Sequence, residues 1–510
     1  MWSSAARAFA LAALLFPAAA AAQEPMAAIE WLEEMNRAPV EPAAPDAGEP
    51  PVARNAGVPD VSVRPLGAPT PDAVGLLPSS VTGFPASLWQ ASASRTLAEL
   101  IAAQRVEGQP AMQALLYSLL LAEATPPADA GPEARLLLAR IEKLRDLGAV
   151  DPAVALLERT GPATPRLAAR WFELALIAGD PAAACDGLAA RAAEPPDYGA
   201  RVFCLARDGR WESAAATLEA AAGLGALGPV EADLLRRFLD PDSVAGPELP
   251  PPPRPGALEF RLREAIGAPL PPSALPRPFS VAALSGDLGW KAQLDAAERL
   301  ARVGAISENR LLGIYSLRDP AASGGVWDRV AAVQRLEAAL GDGDPDAVAA
   351  ALLPAWRAMQ AAGLEVPFAR LFGARLAALP LEGAAAEAAF AAGLLSSDYE
   401  KVARGPVPET AEARFLAALA QGAPGRVPAP SPRAEAVARG FDGAPPPALS
   451  RHLSEGRLGE TILRAMALYA AGIAGDLPDL ADALATFRAV GLEDTARQAA
   501  LQAMLLGPGR

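Results

Sequence analysis

The chain has 510 residues, with 45 Lys and Arg against 59 Asp and Glu, and a formal net charge of −14. Hydrophobic residues make up 52% of it and aromatics only 5%, so its apolar surface is chiefly alanine and leucine, small enough for helix axes to approach closely. The acidic balance argues against partners held by phosphate neutralisation, which needs clustered Lys and Arg, and nucleic acid is therefore not an expected partner.

Residues 1–22 read as a secretory signal: Arg7 supplies the positive start, Ala8 to Phe16 the apolar run, and Ala20, Ala21 and Ala22 the small-residue cleavage site. No later run approaches the ~18 to 20 uninterrupted apolar residues that span a bilayer. The expectation is a periplasmic chain beginning at Gln23, with no membrane span after cleavage. Residues 23–92 predict a short amphipathic helix, Met26 to Asn36, followed by a proline-rich arm, with Val61 to Val63 as a short strand. The arm either tethers the helix or wraps along the body.

Residues 93–243 predict continuous helix: Thr96 to Gln104, Pro110 to Glu123, Pro132 to Leu147, Asp151 to Arg159, Pro165 to Ala178, Pro181 to Arg191, Tyr198 to Arg207, Glu212 to Ala222 and Pro229 to Leu239. Prolines at first turns fit a position whose N–H has no helical partner. Gly148, Gly179 and Gly209 recur at intervals of about 30 residues, a period found in helix-turn-helix arrays. Residues 244–279 form a proline-rich linker around a short helix, Leu258 to Ile266. Residues 280–510 are helical again and predict a second lobe.

In the clearest unit, Tyr198, Gly209, Trp211, Ala214, Leu218 and Ala221 occupy positions that resemble those of tetratricopeptide repeats, and Gly179, Ala184 and Leu188 match in the unit before. Arg201 and Val202 stand where that family has Leu and Gly. The fold class this resemblance implies is all-α: a tetratricopeptide-like α-solenoid of helical hairpins in two lobes, with an extended proline-rich N-terminal arm. Trp171, Trp211, Trp290 and Trp356 are expected in its core.

Cys185 and Cys204 flank a turn containing Pro195 and Pro196. Antiparallel helices turning there bring the two sulfurs to one height, and export permits a disulfide; the alternative is two free thiols packed as small apolar groups.

Chemistry is hard to place. His452 is the only histidine, too little for a common zinc site or a Ser-His-Asp arrangement. No catalytic, metal or cofactor site is expected. The most suggestive loop is PAASGGVWDR, where Ser323, Gly324 and Gly325 precede a helix and Trp327 offers a stacking surface. It is the candidate partner loop.

The signal, the proline-rich arm with its Trp31-Leu32 helix, and the S-G-G-V-W-D-R loop together resemble exported alphaproteobacterial proteins rich in alanine and proline, which automatic naming calls antifreeze glycopeptide polyproteins. The alanine-alanine-threonine array that such a label implies is reduced here to Ala215-Ala216-Thr217. The layout is also similar to periplasmic motility proteins that assist flagellar stators. The function these likenesses imply is a periplasmic, non-enzymatic scaffold binding an envelope protein or peptide, with a flagellar stator component as the specific candidate. The alternative is a peptidoglycan-active or peptidoglycan-binding protein, similar in architecture to lytic transglycosylases, with Ser307-Glu308 as the point of comparison.

Overall fold

The computed structural model of the protein describes residues 70–161, 164–189, 197–240, 250–252, 254–285 and 288–506. The signal, the 26–36 helix, the strand at 61–63 and the 195–196 turn lie outside them. Among the described residues the fold is all-α, with one isolated bridge between Leu77 and Ala122. None of the described helices is long and apolar enough to cross a membrane.

A turn of helix, Ser79–Thr82 (α1), leads to Ser94–Ala103 (α2), Pro110–Leu121 (α3), Arg135–Leu147 (α4) and Val150–Thr160 (α5). Two hairpins follow, Pro165–Ala178 (α6) with Pro181–Ala189 (α7) and Tyr198–Arg207 (α8) with Trp211–Gly223 (α9); Pro229–Leu239 (α10) packs on α8 and α9. Ala257–Ala265 (α11) then touches α10 and returns to α6. Local sequence explains these boundaries. Thr164 and Asp197 accept the Leu167 and Ala200 N–H groups at the starts of α6 and α8, while Gly148 and Gly179 end α4 and α6 in the left-handed region. Expected and observed bounds coincide for α6, α8 and α10. The helix expected from Pro132 starts later, after a turn that closes at Ala134 with φ 50°.

The segment expected as linker over 244–279 ends by entering a 3-10 helix, Arg277–Ser285, packed on Trp290–Ala301 (α12), α4 and α6. Next come Glu308–Tyr315 (α13), Val326–Asp342 (α14), Pro345–Ala361 (α15) and Glu365–Phe368 (α16). A π-helical turn, Ala369–Gly373, joins α16 to Ala374–Ala377 (α17), where Gly373 lies against the Ala392 carbonyl of Gly383–Leu394 (α18). The chain ends with Tyr399–Ala403 (α19), Ala411–Ala420 (α20), Pro432–Asp442 (α21), Pro447–Ser454 (α22), Leu458–Ala474 (α23), Leu477–Ala489 (α24) and Glu493–Leu505 (α25).

The last helices pack on the first ones, α23 on α2 and α25 on α3. Gln502 accepts the Ala111 N–H at the start of α3 at 2.7 Å, and Gln104 donates to the Leu463 carbonyl at 3.0 Å. Apolar burial accordingly forms two clusters: one joins residues 74–303 with 390–503, the other covers 290–395. The core thus divides at a different place from the 244–279 segment, because the apolar stripes of the C-terminal helices are satisfied by α2 and α3.

Trp89 is a core residue that periodicity does not flag. It is 1% exposed, and Leu88 beside it accepts the Gly459 N–H at 3.0 Å. A side chain at 459 would collide with the indole ring, so the glycine is what lets α23 sit on it.

Candidate functional site

The S-G-G-V-W-D-R motif works inward. Asp328 accepts the Gly324 N–H at 3.0 Å, so the carboxylate occupies the position that the loop offers to an anion. Trp327 meets the Trp290 ring at 5.2 Å between centroids, and the Trp290 Nε1–H reaches the Ile314 carbonyl at 2.9 Å. Arg329 grips Glu298 with both branches, Nε to Oε1 at 2.7 Å and Nη2 to Oε2 at 2.6 Å. Ser323 and the two glycines remain exposed. The motif therefore clasps α14 onto α12 and α13, and this much of it is structural.

Cys185 on α7 and Cys204 on α8 are joined as a disulfide, with Cα atoms 5.5 Å apart and a sequence separation of 19. Closing a loop of that length restricts the unfolded chain by about 3 kcal/mol. Cys185→Ala/Cys204→Ala is expected to lower stability by about that amount, and reductant to bring wild type toward the variant; equal melting of both proteins with and without reductant contradicts this.

The other singled-out residues are tied into the fold. Glu308 lies 3.9 Å from Arg370, and Ser307 caps α13 through the Arg310 N–H. His452 Nε2 is 3.9 Å from Glu460, and burial together with the Arg457 charge lowers its pKa. Trp290 and Trp356 are buried and Trp171 is half-buried, but Trp211 is 51% exposed. Trp211 shares a stripe with Ala214, Leu218 and Ala221 yet opens α9. Helical side chains lean toward the N-terminus, so a first-turn residue projects past the neighbouring helix and meets solvent.

The cavity best suited to a partner lies between α6, α10, α11 and the start of α8. It measures about 640 Å³, with Phe172, Leu234, Leu258 and Leu262 as its apolar lining, and Val230, itself 52% exposed, also faces it. Its charged lining is mostly occupied. Arg170 pairs with Glu142 and Glu173, Asp197 caps α8, and Glu259 holds Arg263 at 3.1 Å. Glu231 has no hydrogen bond or ion pair among the described residues. Burial, and then the charges of Asp197 and Glu259, raise its pKa above the ordinary carboxylate value. Sequence reading passed over this residue because a glutamate in a first helical turn is ordinary.

The raised pKa makes a pH-dependent expectation. The folded chain favours the protonated acid, so the cost of the carboxylate is absent below the unfolded pKa of about 4.5 and present once pH exceeds the folded value. Glu231→Gln is expected to melt higher than wild type at neutral pH and to lose that advantage in acid. A constant difference across the range would contradict it.

Among the described residues no group of three or more His, Cys, Asp or Glu side chains is placed to hold a metal ion. No protein-family model, curated protein or solved structure matches the chain.

Proposed function

We propose that the protein is an exported, non-enzymatic scaffold of the cell envelope whose helical hairpins stack as a tetratricopeptide-like solenoid in two lobes. The successive pairing of α6 with α7 and α8 with α9, with α10 laid on α8 and α9, supports the hairpin reading. The observation that carries the binding role is the 640 Å³ cavity, apolar in its lining, with exposed Val230 beside it and Glu231 unpaired. Such a site receives an apolar side chain flanked by a basic group, as helix-built grooves do for peptides. A periplasmic segment of a flagellar stator component is the specific partner.

A photo-crosslinking residue at Val230, compared in living cells with one at the exposed Val81, tests the proposal. Stator segments crosslinked from position 230 and not from 81 support it. Equal products from both positions, or none, refute it. Release of soluble muropeptides from cell-wall sacculi by the purified chain would replace the scaffold with a peptidoglycan-active protein.

A further inference from the structure

Net charge hides a cationic cavity. Between the Arg277–Ser285 turn, the end of α12 and the end of α15 lies a space of about 810 Å³, within the size range of small-molecule sites. Arg277, Arg299, Arg302 and Arg357 line it, and Glu107 is the single acid among its lining residues.

Their partners leave positive charge over. Arg277 donates to Glu107 at 2.7 Å and to the Asp146 carbonyl at 3.1 Å, while its buried Nε has no partner among the described residues. Arg299 spends Nη1 on the Leu275 and Pro272 carbonyls and on Ser280, leaving Nε and Nη2 without a partner among the described residues. Arg302 donates Nε to the Ala362 carbonyl and Nη2 to Glu298, a carboxylate that Arg329 already grips with two bonds. Arg357 is exposed and has no hydrogen bond or ion pair among the described residues. Among the described residues five guanidiniums thus share two carboxylates, in a chain whose net charge is −14. Burial, and then the charge of Arg277, lower the pKa of Arg299, as expected where like charges are crowded.

We propose that this cavity binds a small polyanion through carboxylate or phosphate groups. Planar guanidiniums with free N–H donors match both oxyanions bidentately, and an excess of three cations calls for a ligand bearing more than one negative charge. The site is distinct from the cavity beside Glu231 and does not depend on the scaffold role. It was illegible from composition because its arginines come from positions 277, 299, 302 and 357, and the fold alone gathers them.

Calorimetric titration of the full chain with citrate and with pyrophosphate, at ionic strength held constant with sodium chloride, tests the assignment. Saturable binding of at least one of them is expected, with citrate alone marking a carboxylate site and pyrophosphate alone a phosphate site. Arg357→Gln, which breaks no hydrogen bond or ion pair among the described residues, should leave the melting temperature unchanged and weaken binding about tenfold, the loss of one charge-assisted hydrogen bond. If neither anion binds beyond the chloride control, or if Arg357→Gln and Arg299→Gln both bind as wild type does, the proposal is overturned.

Discussion

Arg140→Leu is expected to destabilise the protein by about 3 to 5 kcal/mol, the largest effect of any single substitution argued for this chain. Arg140 is 0% exposed. Its Nε donates to the Leu120 carbonyl at 2.6 Å, Nη1 to Val74 at 2.7 Å and Nη2 to Ala122 at 3.1 Å. Two of these acceptors sit at the end of α3, where helical carbonyls lack backbone partners and the dipole favours a cation. The third belongs to the segment that runs beside it, where Leu76 and Leu77 donate to the Leu121 carbonyl. Gly75 passes so close to Glu123 that a Cβ would strike its backbone. One guanidinium therefore fastens the start of the described chain to α3 and α4. Burial lowers its pKa to about 10, a cost that leucine removes, but the three carbonyls are backbone and stay behind unpaired at about 1 to 3 kcal/mol each. Loss outweighs relief. Arg140→Lys, able to reach fewer of them, should fall between. Urea unfolding of the three proteins measures the order, and a leucine variant as stable as wild type would show that water replaces the guanidinium.

Local chemistry is what sequence reading recovers well here. The bounds of α6, α8 and α10 follow from Pro or Asp at one end and, at the other, from Gly179, the Asp208-Gly209 turn and Asp240 before Pro241 respectively, all decided within a few residues. Where tertiary packing takes over, the reading loses force. Trp89 lies in a stretch without helical period, yet a glycine on α23 makes room for its ring. Trp211 carries the right spacing for a core position and is exposed, because it opens α9 and its side chain leans past the start of the helix. The most conspicuous motif, S-G-G-V-W-D-R, drew attention as an anion loop. Its own Asp328 fills that role, and Arg329, the least noticed of its residues, makes the strongest contact. Net charge misled in the same way, since a sum over the chain carries no information about which arginines become neighbours. Of the two cavities, neither could be drawn from the sequence, as each takes its lining from segments tens of residues apart.

Glu298→Ala is expected to cost about 3 to 4 kcal/mol, the typical price of removing one member of a buried charge pair. Glu298 is 3% exposed and serves three donors: Arg329 at 2.7 and 2.6 Å, the Tyr315 hydroxyl at 2.7 Å and Arg302 at 3.1 Å. Burial, and then the Glu298 charge, hold the Tyr315 pKa well above its ordinary value, so the phenol remains a donor. Without the carboxylate, Arg329 keeps its charge with no other ion-pair partner among the described residues. Glu298→Gln retains an acceptor but turns an amide donor toward a guanidinium, and should recover less than half of the loss. A double-mutant cycle with Arg329→Ala isolates the pair, with a coupling of about 1 to 3 kcal/mol expected for groups in one network. The same carboxylate also restrains Arg302, which lines the cationic cavity. Its removal therefore weakens the fold while adding one uncompensated charge beside the anion site, and citrate or pyrophosphate should raise the melting temperature of Glu298→Ala by more than that of wild type. Equal shifts in both proteins would separate Glu298 from the cavity and leave it with the clasp alone.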